Sequence, residues 1–139
     1  MDLRSTFDIE DPRVSVPWGA TEEQLVNLLA SASPRRVTRG YITLRVRVLG
    51  GLNCILGFHF RESGRLSELE FFRTSYPDQH ASFDEFQRHF EQAFGPPSGT
   101  EAGDHGFPSH EWRVPGARVV HYVINRFDPE EHMRIQRVA

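Results

Sequence analysis

Residues 41–60 read Tyr41-Ile42-Thr43-Leu44-Arg45-Val46-Arg47-Val48-Leu49-Gly50-Gly51-Leu52-Asn53-Cys54-Ile55-Leu56-Gly57-Phe58-His59-Phe60, and the alternation in this stretch decides the fold. From Tyr41 to Leu49, Ile42, Leu44, Val46 and Val48 fall on one side and Tyr41, Thr43, Arg45 and Arg47 on the other, which is the two-residue period of a half-buried strand. Gly50-Gly51-Leu52-Asn53 supplies turn residues. Cys54–Phe60 then reads as a second strand, with Cys54, Leu56, Phe58 and Phe60 inward and Ile55, Gly57 and His59 outward. Ser63-Gly64 turns the chain into a third strand over about 66–73, with Leu69 and Phe71 inward and Glu68, Glu70 and Phe72 outward. Three strands joined by short turns make an antiparallel meander with one apolar face and one mixed face.

Upstream, Thr21-Glu22-Glu23-Gln24 has the form of a capping box, and Leu25, Leu28, Leu29 and Ala32 follow on one helical face. This predicts a helix over about 21–32, ended before Pro34. The segment before Pro17 alternates weakly through Phe7, Ile9, Val14 and Val16 and is expected to form an edge strand or an ordered arm. Downstream, Ser82-Phe83-Asp84-Glu85 reads as a second capping box, and Phe83, Phe86, Phe90 and Phe94 set an aromatic helix face that stops at Gly95-Pro96-Pro97. Residues 98–109 are rich in Gly, Ser, Asp and Pro and are expected to form a surface loop. Strands are expected at His110–Val114, Arg118–Asn125 and His132–Val138, separated by turns at Pro115-Gly116 and Asp128-Pro129. The fold class is therefore α+β, in which two halves, each a helix plus a three-strand meander, lay antiparallel sheet against two helices within a single domain over residues 1–139.

With 139 residues and 38% hydrophobic content, one domain buries enough apolar surface for a full core. The apolar runs are too short to cross a membrane, and the first residues carry no apolar secretion segment, so the expected location is the cytoplasm. All 16 basic residues are arginine, a bias pointing to a GC-rich bacterial genome and excluding lysine Schiff-base and P-loop chemistry. A net charge of −3 argues against a nucleic-acid binder. Charge is nevertheless segregated: residues 1–23 sum to −4, residues 24–61 hold six arginines and no carboxylate, and residues 62–139 sum to −5.

Among chemistry-bearing residues, Cys54 sits in an apolar run and is expected to be a buried small hydrophobe. Asp104, His105, His110 and Glu111, with Glu131 and His132, lack the spacing of a metal motif, so no metal or cofactor is expected. No Gly-x-Ser-x-Gly elbow marks a nucleophile. The glycines of 95–106 leave a helix C-terminus, where the dipole repels phosphate. Glu68 and Glu70 on an open face are expected to partner Arg45 and Arg47 or to be solvated. Trp18 and Trp112 are expected to be core or interface anchors. His121 lies in a strand whose inward face is ambiguous and, if inward, is a hydrogen-bonded core histidine.

The outer face of the first meander is the most distinctive feature. Tyr41, Arg45, Arg47, His59, Glu68, Glu70 and Phe72 around a small Gly57 give the composition enriched at protein interfaces, and they are the candidate protein-binding residues. An ordinary solvated face with cross-strand Arg–Glu pairs is the competing reading, and base stacking has only Tyr41 and Phe72 to work with.

Pro17-Trp18-Gly19, Phe58-His59-Phe60, Ser82-Phe83-x-x-Phe86 with Phe94-Gly95-x-Pro97, then Trp112 and His121, resemble small cytoplasmic bacterial immunity proteins of polymorphic or contact-dependent toxin systems. The resemblance covers most of the chain and implies a non-enzymatic α+β domain that neutralises a cognate toxin by direct binding. It transfers no individual contact residue. Two alternatives are a secretion chaperone-like cargo binder, disfavoured by the lack of a C-terminal helix pattern, and a small-ligand or enzyme domain with residues 98–109 as a lid. The oligomeric state is left open.

Overall fold

In a computed structural model that describes residues 1–103, 106–125 and 128–138, ten strands and two helices form the domain. The strands are β1 (Thr6–Ile9), β2 (Val14–Pro17), β3 (Arg35–Thr38), β4 (Tyr41–Val48), β5 (Leu52–Phe60), β6 (Leu66–Phe72), β7 (Gly99–Glu101), β8 (Ser109–Val114), β9 (Ala117–Asn125) and β10 (Pro129–Arg137). Helix α1 is Glu22–Leu28 and α2 is Gln79–Phe94. β3 to β10 form one antiparallel eight-stranded sheet in the order β3-β4-β5-β6-β10-β9-β8-β7, and β1 and β2 form a separate hairpin.

That order makes the sheet two meanders joined through their last strands, β6 and β10. Each meander follows a helix, so the expected duplication holds at the level of architecture, with four strands per half instead of three. The additional strands are the two edges. β3 is exposed along its whole length, so no face of it is apolar enough to show a period; β7 is three exposed residues, Gly-Thr-Glu, cut from the segment expected to be loop.

Several boundaries also move. The Thr21–Gln24 capping box forms in both directions, at 3.2 and 3.0 Å, but α1 ends at Leu28 and a separate 3-10 turn spans Ala30–Ala32. α2 starts a turn before the expected capping box, because Asp78 caps it through Ala81 N at 3.0 Å. Ser82 is thereby carried inside the helix and faces the sheet. β5 begins at Leu52, not Cys54, since Leu52 pairs with Val48 and is buried. β10 begins at Pro129, not His132; a first-position proline gives up no interior ladder bond.

One sheet face is the core. Ile42, Leu56, Phe58, Leu69, Phe71, Val119, Met133 and Ile135 point to the helices and the β1–β2 hairpin, and all are essentially inaccessible. A run of edge-to-face rings fills the space between: Phe7 on Phe71 at 5.9 Å, Phe71 on Phe90 at 5.3 Å and Phe90 on Trp112 at 5.8 Å. Trp112 also donates Nε1–H to the Gly95 carbonyl at 2.8 Å, satisfying an acceptor left free at the end of α2. Trp18 and Trp112 are therefore both core residues, and so is Cys54, whose thiol is pushed up to about 12 by burial.

The opening acidic segment has a structural role. The Glu10 carboxylate accepts from Gly50 N and Gly51 N at 2.8 and 2.9 Å, holding the β4–β5 turn, where both glycines have positive φ. Arg47 N donates to the Asp11 carbonyl at 2.9 Å, and its guanidinium lies 3.9 Å from Glu10. Glu22 lies 3.8 Å from Arg36 and accepts from Gly40 N at 2.8 Å. Part of the charge segregation seen in the sequence is thus consumed inside the fold, where the first acidic stretch grips the basic one.

Candidate interaction face

The second sheet face is covered by no described element. Strand register brings side chains from both halves onto it. Tyr41 lies opposite His59, Gly57 opposite Glu70, and Arg134 of β10 opposite that same Glu70. The Tyr41 hydroxyl donates to Glu70 Oε1 at 3.1 Å, and His59 Nε2 approaches the same oxygen at 3.2 Å. Arg134 donates to Glu70 Oε2 at 3.0 Å and to Glu68 Oε1 at 3.1 Å, and Gln136 donates to Glu68 Oε2 at 2.8 Å. Arg118 extends the lattice through Gln136 and Glu111, both at 3.1 Å.

These contacts correct three expectations. Glu68 is only 5% exposed, and its charge is met by Arg134, with Arg61 further off at 3.6 Å; neither Glu68 nor Glu70 partners Arg45 or Arg47. Gly57 is not an open centre, because a Cβ there would meet Tyr41 Cε1 at 2.8 Å; the glycine lets the Tyr41 ring lie across the sheet and stack on His59 at 4.5 Å. Arg47 is turned to the hairpin and away from a partner surface.

Of the candidate residues, the structure brings Tyr41, His59, Glu68 and Glu70 into one network. Arg45 and Phe72 stand beside it in a different row: Arg45 opposite Ile55, Ile55 opposite Phe72, Phe72 by continuation of the register opposite His132, and His132 opposite Tyr122. Ile55, Phe72 and Tyr122 are half-buried and make this row largely apolar, with His132 between the last two and stacked on Tyr122 at 5.0 Å. Arg45 at its end is exposed and forms no ion pair with the described residues. Arg134, Gln136, Tyr122 and Arg118 escaped the sequence reading because nothing in the sequence states that β10 pairs with β6. The available signal was the alternation His132, Arg134, Gln136 against Met133 and Ile135.

Two groups of the network are shifted from their ordinary values. Glu70 is held below the usual carboxylate range by its hydrogen bond to His59 and, after the opposing effect of burial, by the charge of Arg134. The Tyr41 hydroxyl is pushed up to about 12 by burial and by Glu70. At neutral pH the pair is therefore a fixed anion and a fixed neutral donor, and neither is matched to proton transfer there.

A second polar cluster lies on the core side. His121 points inward with Val119 and Val123, which resolves the ambiguous strand, and stacks on Phe83 at 3.9 Å. Its Nε2 is 2.6 Å from Glu131 Oε2, and both side chains are completely buried. Glu131 Oε1 accepts from Ser82 Oγ and from Gln79 Nε2, each at 3.0 Å. Ser82 thus donates to the carboxylate and not to the imidazole, which is the wrong order for a nucleophilic relay. His121 Nδ1 lies 2.7 Å from Gln87 Oε1. Turning the Gln87 amide over exchanges Oε1 with Nε2, which is buried without a partner among the described residues; the neutral ring then donates from Nε2 to Glu131 and accepts the Gln87 N–H at Nδ1, satisfying both ring nitrogens.

Burial holds His121 below the ordinary histidine range, against the raising effect of Glu131, and shifts His110 in the same direction. The unfolded chain therefore takes up protons near pH 6.5 that the folded chain refuses. Stability from these groups is complete above that pH and is lost as pH falls below it. The urea midpoint is expected to drop between about pH 7.5 and 5.5 at constant ionic strength, and His121→Phe should flatten the slope. An equal midpoint at both values would contradict a neutral buried His121.

Among the described residues no group of three His, Cys, Asp or Glu side chains is placed to hold a metal ion. His110 and Glu111 face opposite sides of β8, and Glu131 and His132 opposite sides of β10, while Asp104 and His105 lie outside the described residues. Of the loop considered as a lid, Gly99–Glu101 is the edge strand β7, and the space between sheet and helices is filled by the aromatic stack. Among the described residues no helix is long and apolar enough to cross a membrane. No protein family, curated protein or solved structure matches this chain.

Proposed function

We propose that the chain is a non-enzymatic, cytoplasmic bacterial protein-binding domain of the immunity type, which neutralises a toxin by direct binding. The observation that carries this reading is the uncovered sheet face, where a hydrogen-bonded Tyr41–His59–Glu70–Arg134–Glu68 lattice flanks a largely apolar row that ends at Arg45, which has no ion pair among the described residues. The lattice is already ordered in the free protein, so a partner that docks on it loses little side-chain entropy in doing so. Aromatic and arginine side chains are the usual anchors of such faces. The surface fits a partner that presents an apolar side chain to Ile55 and Phe72 and a carboxylate to Arg45, and the open cation raises the encounter rate.

The test is charge reversal at Arg45. Arg47 is a poor companion for it, because its backbone and side chain also hold the hairpin. With the partner captured from lysate of the host and purified as a stoichiometric complex, Arg45→Glu is expected to weaken binding more than tenfold while the thermal midpoint stays within a degree or two. Unchanged affinity would remove the face from the interface.

A further inference from the structure

We infer that the outer edge of β3 is a strand-addition site for an extended, acidic segment of the protein partner. This rests on the protein-binding reading and specifies the recognition mode. β3 ends the eight-stranded sheet, so among the described residues one side of its backbone has no strand to pair with. Such an edge is a template for another strand, whose main-chain bonds give affinity while side chains select the sequence.

The side chains here select by charge. Arg35, Arg36 and Arg39 are all exposed, and among the described residues only Arg36 has an ion-pair carboxylate, Glu22 at 3.8 Å. Arg35 lies opposite Thr43, two residues from Arg45 on the same face, so the cationic edge continues into the proposed interface. Val37, 46% exposed, puts an apolar side chain in the middle of the cations. Charge on an edge also deters self-pairing: the β3 of a second copy would meet arginine with arginine. The same repulsion that rejects a second β3 favours a strand carrying carboxylates at alternate positions, with an apolar residue between them to cover Val37.

The probe is a blocked eight-residue peptide alternating glutamate and valine, titrated into the full chain and followed by amide NMR shifts and hydrogen exchange. Saturable binding is expected, with shifts concentrated on Arg35–Thr38 and exchange of those amides slowed at least tenfold. Arg35→Glu/Arg39→Glu should weaken it about tenfold or more, and the neutral Arg35→Gln/Arg39→Gln should fall between that variant and wild type. Three results would overturn the inference: equal binding of a peptide with proline at alternate positions, shifts mapping away from β3, or concentration-dependent self-association through this edge. If Arg45→Glu weakens the captured partner complex and Arg35→Glu/Arg39→Glu leaves it unchanged, strand addition fails while the protein-binding reading stands. If the peptide binds β3 but Arg45→Glu leaves the complex unchanged, the strand site stands and the sheet-face reading fails.

Discussion

Glu131→Ala is expected to destabilise the domain by about 3–5 kcal/mol, the largest effect of any single polar substitution in it. The Glu131 side chain is completely buried and accepts from Gln79, Ser82 and His121 at 3.0, 3.0 and 2.6 Å. Its removal leaves three donors in a dry site, each facing a desolvation cost of about 1–3 kcal/mol, partly relieved by any water that enters the cavity. Because these bonds join the first half of α2 to β9 and β10, the loss should concentrate there. Amides of the first two turns of α2 should exchange faster than those of its last two, which the Phe90–Trp112 contact and the Trp112–Gly95 bond hold. Glu131→Gln keeps an acceptor and the shape of the side chain, and should cost about 1–2 kcal/mol. Urea midpoints with unchanged slope measure both; a loss under about 1 kcal/mol for the alanine variant would show that the cluster is not a structural clamp.

Arg134→Met ranks second. The side chain is 21% exposed and its guanidinium is shared between Glu68 and Glu70, so its loss leaves two neighbouring carboxylates on β6, one nearly buried, without their common cation. Partial exposure discounts the cost of a fully buried pair to about 2–3 kcal/mol. The sign with pH follows from Glu70, which the wild-type environment holds below the usual carboxylate range. A carboxyl with a depressed folded-state value contributes stability above its unfolded value and loses it as pH falls. The wild-type advantage over Arg134→Met should therefore narrow as pH drops through about 4.5 and below. A difference that stays constant from neutral to pH 4 would mean that Arg134 contributes packing alone. The same variant should weaken partner binding, because Glu70, which holds Tyr41 and His59 across Gly57, loses the cation that fixes its other oxygen.

How far the sequence alone leads depends on whether burial leaves a period. β4, β5 and β9 were legible because one face is buried and the other is not; Val120 blurred β9, since it is nearly buried even on the outer face. β3 and β7 left no trace because neither face of either strand is covered. Ser82-Phe83-Asp84-Glu85 satisfies a capping pattern that the chain uses differently: Asp78 takes the cap and Ser82 becomes a donor to Glu131. On the candidate face, Tyr41, His59 and the two glutamates were visible as an outward row, but their partner Arg134 comes from a strand 64 residues away from Glu70 along the chain. Local alternation gives each strand its faces, but which strands become neighbours depends on long-range pairing, and the seam between β6 and β10 is where that information was missing. A good part of the segregated charge binds the N-terminal hairpin to the sheet, through Glu10 and Arg47.

The central claim is that the uncovered face of the eight-stranded sheet is where a protein partner sits. Hydroxyl-radical footprinting of the free chain and of its purified complex with the partner captured from the host addresses it most directly, because the label reports side chains and leaves the ladder amides aside. The account predicts that Phe72 and Tyr122 are oxidised in the free chain and protected several-fold in the complex, while Leu28 and Met1, exposed on the helix and at the N-terminus, are labelled equally in both. Protection of Leu28 or Met1 with Phe72 and Tyr122 unchanged would contradict it and place the partner elsewhere on the domain.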